Sequence, residues 1–457
     1  GWNLTGNSGA SPDTCFIGTT DNSSFILRVS NLMAGIIDPL KSNTGFGKHS
    51  LALISTGNFN TAFGTSALAN NTTGQYNSSF GYSATSQNNT GSENTALGTH
   101  ALSMNTSGSR NLAIGYYSLT ANTTGNSNVA AGERTLYSST TRKYIVAIGD
   151  SSLFWNGMNA TQPEHAALNT AIGSMVLFSN TTGFGNTSAG RLSLAANTTG
   201  SNNTVSGTKS MLFNTSGSSN TAIGLISLYS LTSASGNTSI GFGTLYYATE
   251  GCNNTSDGMF SSFSITTGFR NTALGYYSLI YDVNGNWNVS LGQQSLASNV
   301  TGNYNTAIGL AALGYTNADY NTGVGYSSGL SYPFSQGTFM GSYAYPEAVS
   351  LTNCLALGSD ARVEASNKYV IGKWSVTSIG GYANWTTFSD GRFKKNIREN
   401  VPGLDFINRL RPVSYMTDTK ALNDRFTDKK GEVTSGFPND HERKIETILQ
   451  SLLQRHA

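Results

Sequence analysis

Asn60-Thr61-Ala62-Phe63-Gly64 returns as Asn94-Thr95-Ala96-Leu97-Gly98, Asn111-Leu112-Ala113-Ile114-Gly115, Asn220-Thr221-Ala222-Ile223-Gly224, Asn271-Thr272-Ala273-Leu274-Gly275 and Asn305-Thr306-Ala307-Ile308-Gly309. The glycine falls every 17 residues from Gly47 to Gly149, and again from Gly173 to Gly309, with a single step of 24 between the two runs. Gly325, Gly341, Gly358 and Gly372 follow at steps of 16, 16, 17 and 14. Four residues after each glycine from Gly47 to Gly309 stands a second column, including Leu51, Leu68, Leu102, Leu119, Leu136, Leu153 and Met211, with Thr85 and Ser262 as exceptions. A turn then follows, as in Asn71-Thr72-Thr73-Gly74 and Asn122-Thr123-Thr124-Gly125. Asn and Gly suit backbone positions of positive φ.

A helical hairpin repeat needs about 33 residues, so this period is too short for one. It fits two short strands per coil, one on Thr-Ala-Ile and one around Ser-Leu. No coil can bury its own apolar residues. Stacking places Ala, Ile/Leu and Leu in continuous internal ladders and lets the Asn column form an amide ladder. At a spacing of about 4.8 Å, twenty coils make a rod on the order of 95 Å long. A Gly/Asn/Ser linker does not keep apolar columns in register.

Composition agrees. Only 11% of the 457 residues are charged, against about 25% in ordinary soluble domains. Few ionisable side chains remain for a turnover site, and the acidic residues of the repeat (Glu93, Glu133, Asp150, Glu164, Asp257, Asp282) are isolated, whereas glycan cleavage needs paired carboxylates. A net charge of +2 gives no footprint for nucleic acid, so no nucleic-acid partner is expected. No apolar run is long enough for a membrane-spanning helix. Cys15, Cys252 and Cys354 lie far apart, and His49, His100, His165, His441 and His456 lack ligand spacing, so neither metal nor cofactor is expected. Sequons at Asn71, Asn77, Asn122, Asn180, Asn197, Asn214, Asn237 and Asn288 read either as glycosylation sites or as by-products of the repeat motif itself.

Charge divides the chain. Residues 1–388 hold 13 basic and 14 acidic side chains, and residues 389–457 hold 13 and 10. The expected organisation is a cap or connector over 1–42, regular coils over 43–325, irregular terminal coils and a neck over 326–388, and a separate domain over 389–457. The cap reading rests on aperiodic short strands such as Phe25-Ile26-Leu27-Arg28-Val29. Residues 152–165, with Phe154, Trp155, Asn156 and Met158, are expected to loop out of the stack, with Trp155 as a contact residue. Aromatic residues beside the glycine (Tyr116, Tyr117, Phe242, Tyr276, Tyr277) exceed what one thin coil buries and are expected to pack between chains.

Asn-Thr-Ala-Ile-Gly followed by Ser-Leu resembles the head repeats of trimeric autotransporter adhesins, and also repeats of phage tail fibres and Bacteroidetes-type surface fibres. The resemblance covers about residues 43–372. It implies a parallel β-roll in which three chains associate side by side. Ser389-Asp390-Gly391-Arg392-Phe393-Lys394-Lys395-Asn396-Ile397 and Arg411-Pro412-Val413-Ser414-Tyr415 resemble the start of the endosialidase-type intramolecular chaperone domain of tail fibres. That resemblance implies a small α/β domain that trimerises, sets the register of the fibre before it and cuts itself off. A serine hydroxyl needs a base, and a lysine of lowered pKa can supply it. The resemblance assigns Ser389 as nucleophile on the Phe388 carbonyl, Lys394 as base and Asp390 as orienting group. Ile445, Ile448, Leu449, Leu452 and Leu453 form a helical seam, suited either to bundling with neighbouring chains or to packing within one domain.

The sequence therefore predicts an all-β parallel β-roll or β-solenoid of 17-residue coils, homotrimeric, with a small α/β C-terminal chaperone domain. The expected function is an extracellular fibre, on a cell surface or virion, that binds a host-cell or surface glycan or protein receptor. The competing readings are a filament without a receptor and a glycan-cleaving tailspike.

Overall fold

The computed structural model describes residues 17–330 and 332–381. Strands β1 (Phe25–Val29), β2 (Leu32–Asp38) and β3 (Asn43–Phe46) open the chain. Three-residue strands β4 (Thr61–Phe63) through β19 (Thr322–Val324) follow, then β20 (Phe334–Met340), β21 (Tyr345–Pro346), β22 (Leu351–Leu357), β23 (Arg362–Val363) and β24 (Tyr369–Ile371). One 22-stranded sheet contains all of these except β21 and β23, which pair with each other. From β3 onward the pairing is parallel and in register, as in Thr95↔Leu112, Ala96↔Ala113 and Leu97↔Ile114. No helix occurs among the described residues, and the architecture is a parallel β-solenoid of 17-residue coils.

The glycine column is forced by the stack. Gly64 has φ of 133°. A Cβ there would strike the Gly81 carbonyl of the next coil, and the same clash recurs along the column. Side chains alternate across the strand, so Ala62, Ala96 and Ala113 point inward and are fully buried. Their partners in the core are Leu68, Leu102 and Leu119, also fully buried. Each such leucine stabilises the stack by about 1.5–3 kcal/mol.

Two expectations about the coil are corrected. The Ser-Leu segment is not a second strand. Ser66 and Leu68 have φ of 60° and 49°, and the left-handed pair recurs in coil after coil. Their amides still bond between coils, Ser66 N–H to the Lys48 carbonyl at 2.8 Å and Leu68 N–H to Ala84 at 3.1 Å. Left-handed backbone costs roughly 1–3 kcal/mol at a residue other than Gly, and it persists where the surroundings over-determine it. Here it turns the leucine into a core only one small residue deep. The second correction concerns Ile/Leu before the glycine, expected inside. In a three-residue strand with Ala inward, both flanking residues face outward, and Leu97, Ile114 and Ile223 are exposed.

Thr85 and Ser262, the exceptions in the leucine column, are compensated locally. Ser79 donates to Thr85 Oγ1 at 3.3 Å and Ser256 to Ser262 Oγ at 2.9 Å, so a serine replaces alanine wherever a hydroxyl replaces leucine. At the N-terminal end the chain reverses: β2 pairs antiparallel with β3 and with β1, covering the first coil's edge. Beyond Gly325 the strands β20 and β22 lengthen to seven residues, and Phe334 and Phe339 fill the core where leucines had been.

Candidate functional surface

Two buried asparagine ladders fix the shape of the outer surface. The first stands four residues before each glycine. Asn77 Nδ2 donates to Asn60 Oδ1 at 3.0 Å and to the Gly91 carbonyl at 2.9 Å, and Asn77 N–H also donates to Asn60 Oδ1. The second ladder is the asparagine of the turn, seven residues after the glycine. Asn88 donates to Asn71 Oδ1 at 2.9 Å, Asn105 to Asn88 at 2.6 Å and Asn122 to Asn105 at 2.8 Å. Each also donates to the carbonyl three residues on, Asn105 to Gly108 at 2.9 Å. Sequence reasoning took this asparagine for a turn residue alone, although its recurrence in register was the available signal.

The second ladder stops wherever the next coil lacks asparagine. Ser139, Leu231 and Thr316 stand at those places, and the preceding Asn122, Asn214 and Asn299 have buried Oδ1 atoms without a hydrogen-bond partner. Each orphan marks the end of one ladder section. The ladders also decide the sequons. All eight asparagines named above are buried, six of the eight amides donating within the turn or between coils, and Asn237 and Asn288 donating to the Gly251 and Gly302 carbonyls. In the folded chain none presents a free amide nitrogen.

With the amides inside, the outward face of the sheet carries two columns, one mostly apolar and one mostly threonine. Phe63, Phe80, Leu97, Ile148, Ile172 and Ile308 belong to one exposed column along the described solenoid. Phe63 and Phe80 stack at 5.4 Å and 2°. Thr61, Thr95 and Thr221 run beside them. Asp257 is the one ionisable side chain in that column among the described residues.

The aromatics expected between chains divide. Tyr277 is buried in its own chain against Phe260, ring centres 5.7 Å apart, whereas Tyr116 and Tyr276 are exposed. A second aromatic stack, Tyr137–Phe154–Phe178, has spacings of 4.9 and 5.2 Å.

The insertion is shorter and more tightly held than expected. Ser152, Leu153 and Asn156 are buried within the coil and Phe154 is in the stack. Asn156 Nδ2 donates to the Ala166 carbonyl at 2.9 Å, the bond that other coils make to glycine, so the extra residues lie within 157–165. Arg142 takes the place of the turn glycine one coil earlier. Its guanidinium donates to the carbonyls of Gln162 at 2.6 Å and Ala160 at 2.8 Å, and burial lowers its pKa. Trp155 is part-exposed and packs edge-on against Phe154 at 4.7 Å.

Ser389, Asp390 and Lys394 lie outside the described residues. Among the described residues no group of three His, Cys, Asp or Glu side chains is placed to hold a metal ion, and no helix is long and apolar enough to cross a membrane. Compared with known proteins, the chain matches no protein-family model and no curated sequence.

Proposed function

We propose that the chain is one strand of a homotrimeric extracellular fibre for adhesion or receptor binding, with a C-terminal trimerisation and chaperone domain that cleaves before Ser389. The observation that carries this reading is the exposed apolar column beside the threonines, repeated every 17 residues along the solenoid. Isolated apolar side chains are ordinary on a surface, whereas a contiguous strip marks an interaction site. A partner that matches the strip along its length must carry the same period, and another copy of this chain does. The resemblance to adhesin heads selects three copies arranged in parallel around a closed axis. Rigid coils then present the outer turns, Trp155 and the 157–165 loop to a glycan or protein receptor.

Native mass measurement and sedimentation of the purified chain test the assembly, and a stable monomer at micromolar concentration would overturn it. Binding of the assembled fibre to cells and immobilised glycans separates an adhesin from a filament without a receptor. Ser389→Ala and Lys394→Ala should each abolish a break at Phe388/Ser389 while leaving assembly intact. An uncut wild-type chain would mean that the domain stays as a plug holding the chains in register.

A further inference from the structure

Asp282 occupies the turn-asparagine place in the coil that starts at Gly275, and it is fully buried. Its Oδ1 accepts the Gly285 N–H at 2.6 Å, and its Oδ2 accepts Asn299 Nδ2 at 3.0 Å and Asn288 Nδ2 at 3.3 Å. At Asn105 the turn bond has the opposite sense, the side-chain amide donating to the carbonyl three residues on. A carboxylate cannot donate, and a carboxylic acid can.

No charge compensates it. The coil before supplies Ile265, the coil after Asn299, and its own coil Gly285 and Asn288. The adjacent Tyr281 is the titratable neighbour along the chain, and no cationic side chain contributes to the state of Asp282. The ladder is also interrupted just before it, where Leu231, Ala248 and Ile265 stand in successive coils. Asp282 thus begins a new ladder section with a group that exists in two protonation states.

We propose that Asp282 is a proton-operated weak point in the solenoid: as a neutral acid, buried with no cation beside it, it leaves the coils from Gly275 to Gly309 closed, and as a carboxylate it loosens them. Burial raises its pKa from 3.8 to about 7, with the three hydrogen bonds opposing, so the change falls close to neutrality. Local opening releases the carboxylate to water, where it ionises readily. The opening equilibrium therefore rises by up to about tenfold per pH unit between 4 and 7 and levels off above that.

Hydrogen–deuterium exchange of the full chain, read by mass spectrometry across that pH range, tests this. The exchange of peptides within 275–309 is divided by that of peptides within 98–132, which cancels the intrinsic pH dependence of amide exchange. The ratio should climb with pH in the wild type and stay flat in Asp282→Asn, the residue that other coils carry. Asp282→Ser, for which Ser139 is the precedent in the same ladder, should also be flat. A flat wild-type ratio, or a slope that survives in both variants, would overturn the proposal.

Discussion

Asn105 Nδ2 donates to the Gly108 carbonyl at 2.9 Å, and a Cβ built on Gly108 collides with the Asn105 Oδ1 and with the Gly125 carbonyl of the next coil. Ladder and turn glycine are one device, because the space a side chain would take is filled by the amide that closes the turn. Gly108→Ala should destabilise the solenoid by about 1–3 kcal/mol, the usual cost of overpacking a close-packed interior. Thermal unfolding against wild type measures it, and an unchanged melting temperature would mean that the turn yields without loss.

The orphaned oxygen of Asn122 makes a repair possible. Ser139→Asn, made in the Arg142→Gly background because a Cβ at that turn position collides with a ladder amide, places a donor one coil on and gives Asn156 a second acceptor relative to Arg142→Gly alone. The gain expected for a buried hydrogen bond is about 1 kcal/mol. A rise in the denaturation midpoint with unchanged m-value is the expected result.

Arg142→Gly restores the usual turn residue and removes the clamp on Ala160 and Gln162. Limited proteolysis should then cut within 157–165 several times faster, with the flanking coils unaffected. Equal cutting rates would show that the loop holds itself.

Charge placed on the exposed sheet face tests the proposed assembly. Ile223→Asp combined with Ile114→Asp places two carboxylates in the apolar column and should shift the protein to monomer in sedimentation. Asp257→Leu removes the column's one charge and should raise the concentration of denaturant needed to dissociate the assembly.

Asp282 gives global stability a sign. Its folded pKa of about 7 lies above its unfolded 3.8. The neutral acid is the form that folding favours, so its contribution is greatest below pH 3.8 and is lost as pH rises to 7. The full shift is worth ~4 kcal/mol as an upper bound. Asp282→Asn should therefore raise unfolding stability at pH 8 and change it little at pH 4. A gain of equal size at both values would assign the effect to packing.

The solenoid was legible because its cause is periodic. A glycine column enforced by the carbonyl of the next coil recurs twenty times in one sequence, and a leucine column four residues on keeps step with it through most of the coils. Side-chain direction was less legible. Ile114 and Leu119 are both apolar and in register, yet one is exposed and the other buried. The difference lies in backbone conformation, extended at Ile114 and left-handed at Leu119, and apolar character does not report it. The turn asparagine misled for a related reason, since Asn71 serves a turn and a core alike. Arg142 could not be tied to the 157–165 loop in advance, because that contact depends on where the loop returns, not on spacing.

Because each coil rests only on its neighbours, the core is solved once and reused. An in-frame duplication of a single period would lengthen the molecule by about 4.8 Å and leave every existing contact in place. Reach is thus a heritable quantity that changes in equal increments. Selection on the length of such a molecule can act by counting units, without refining any of them.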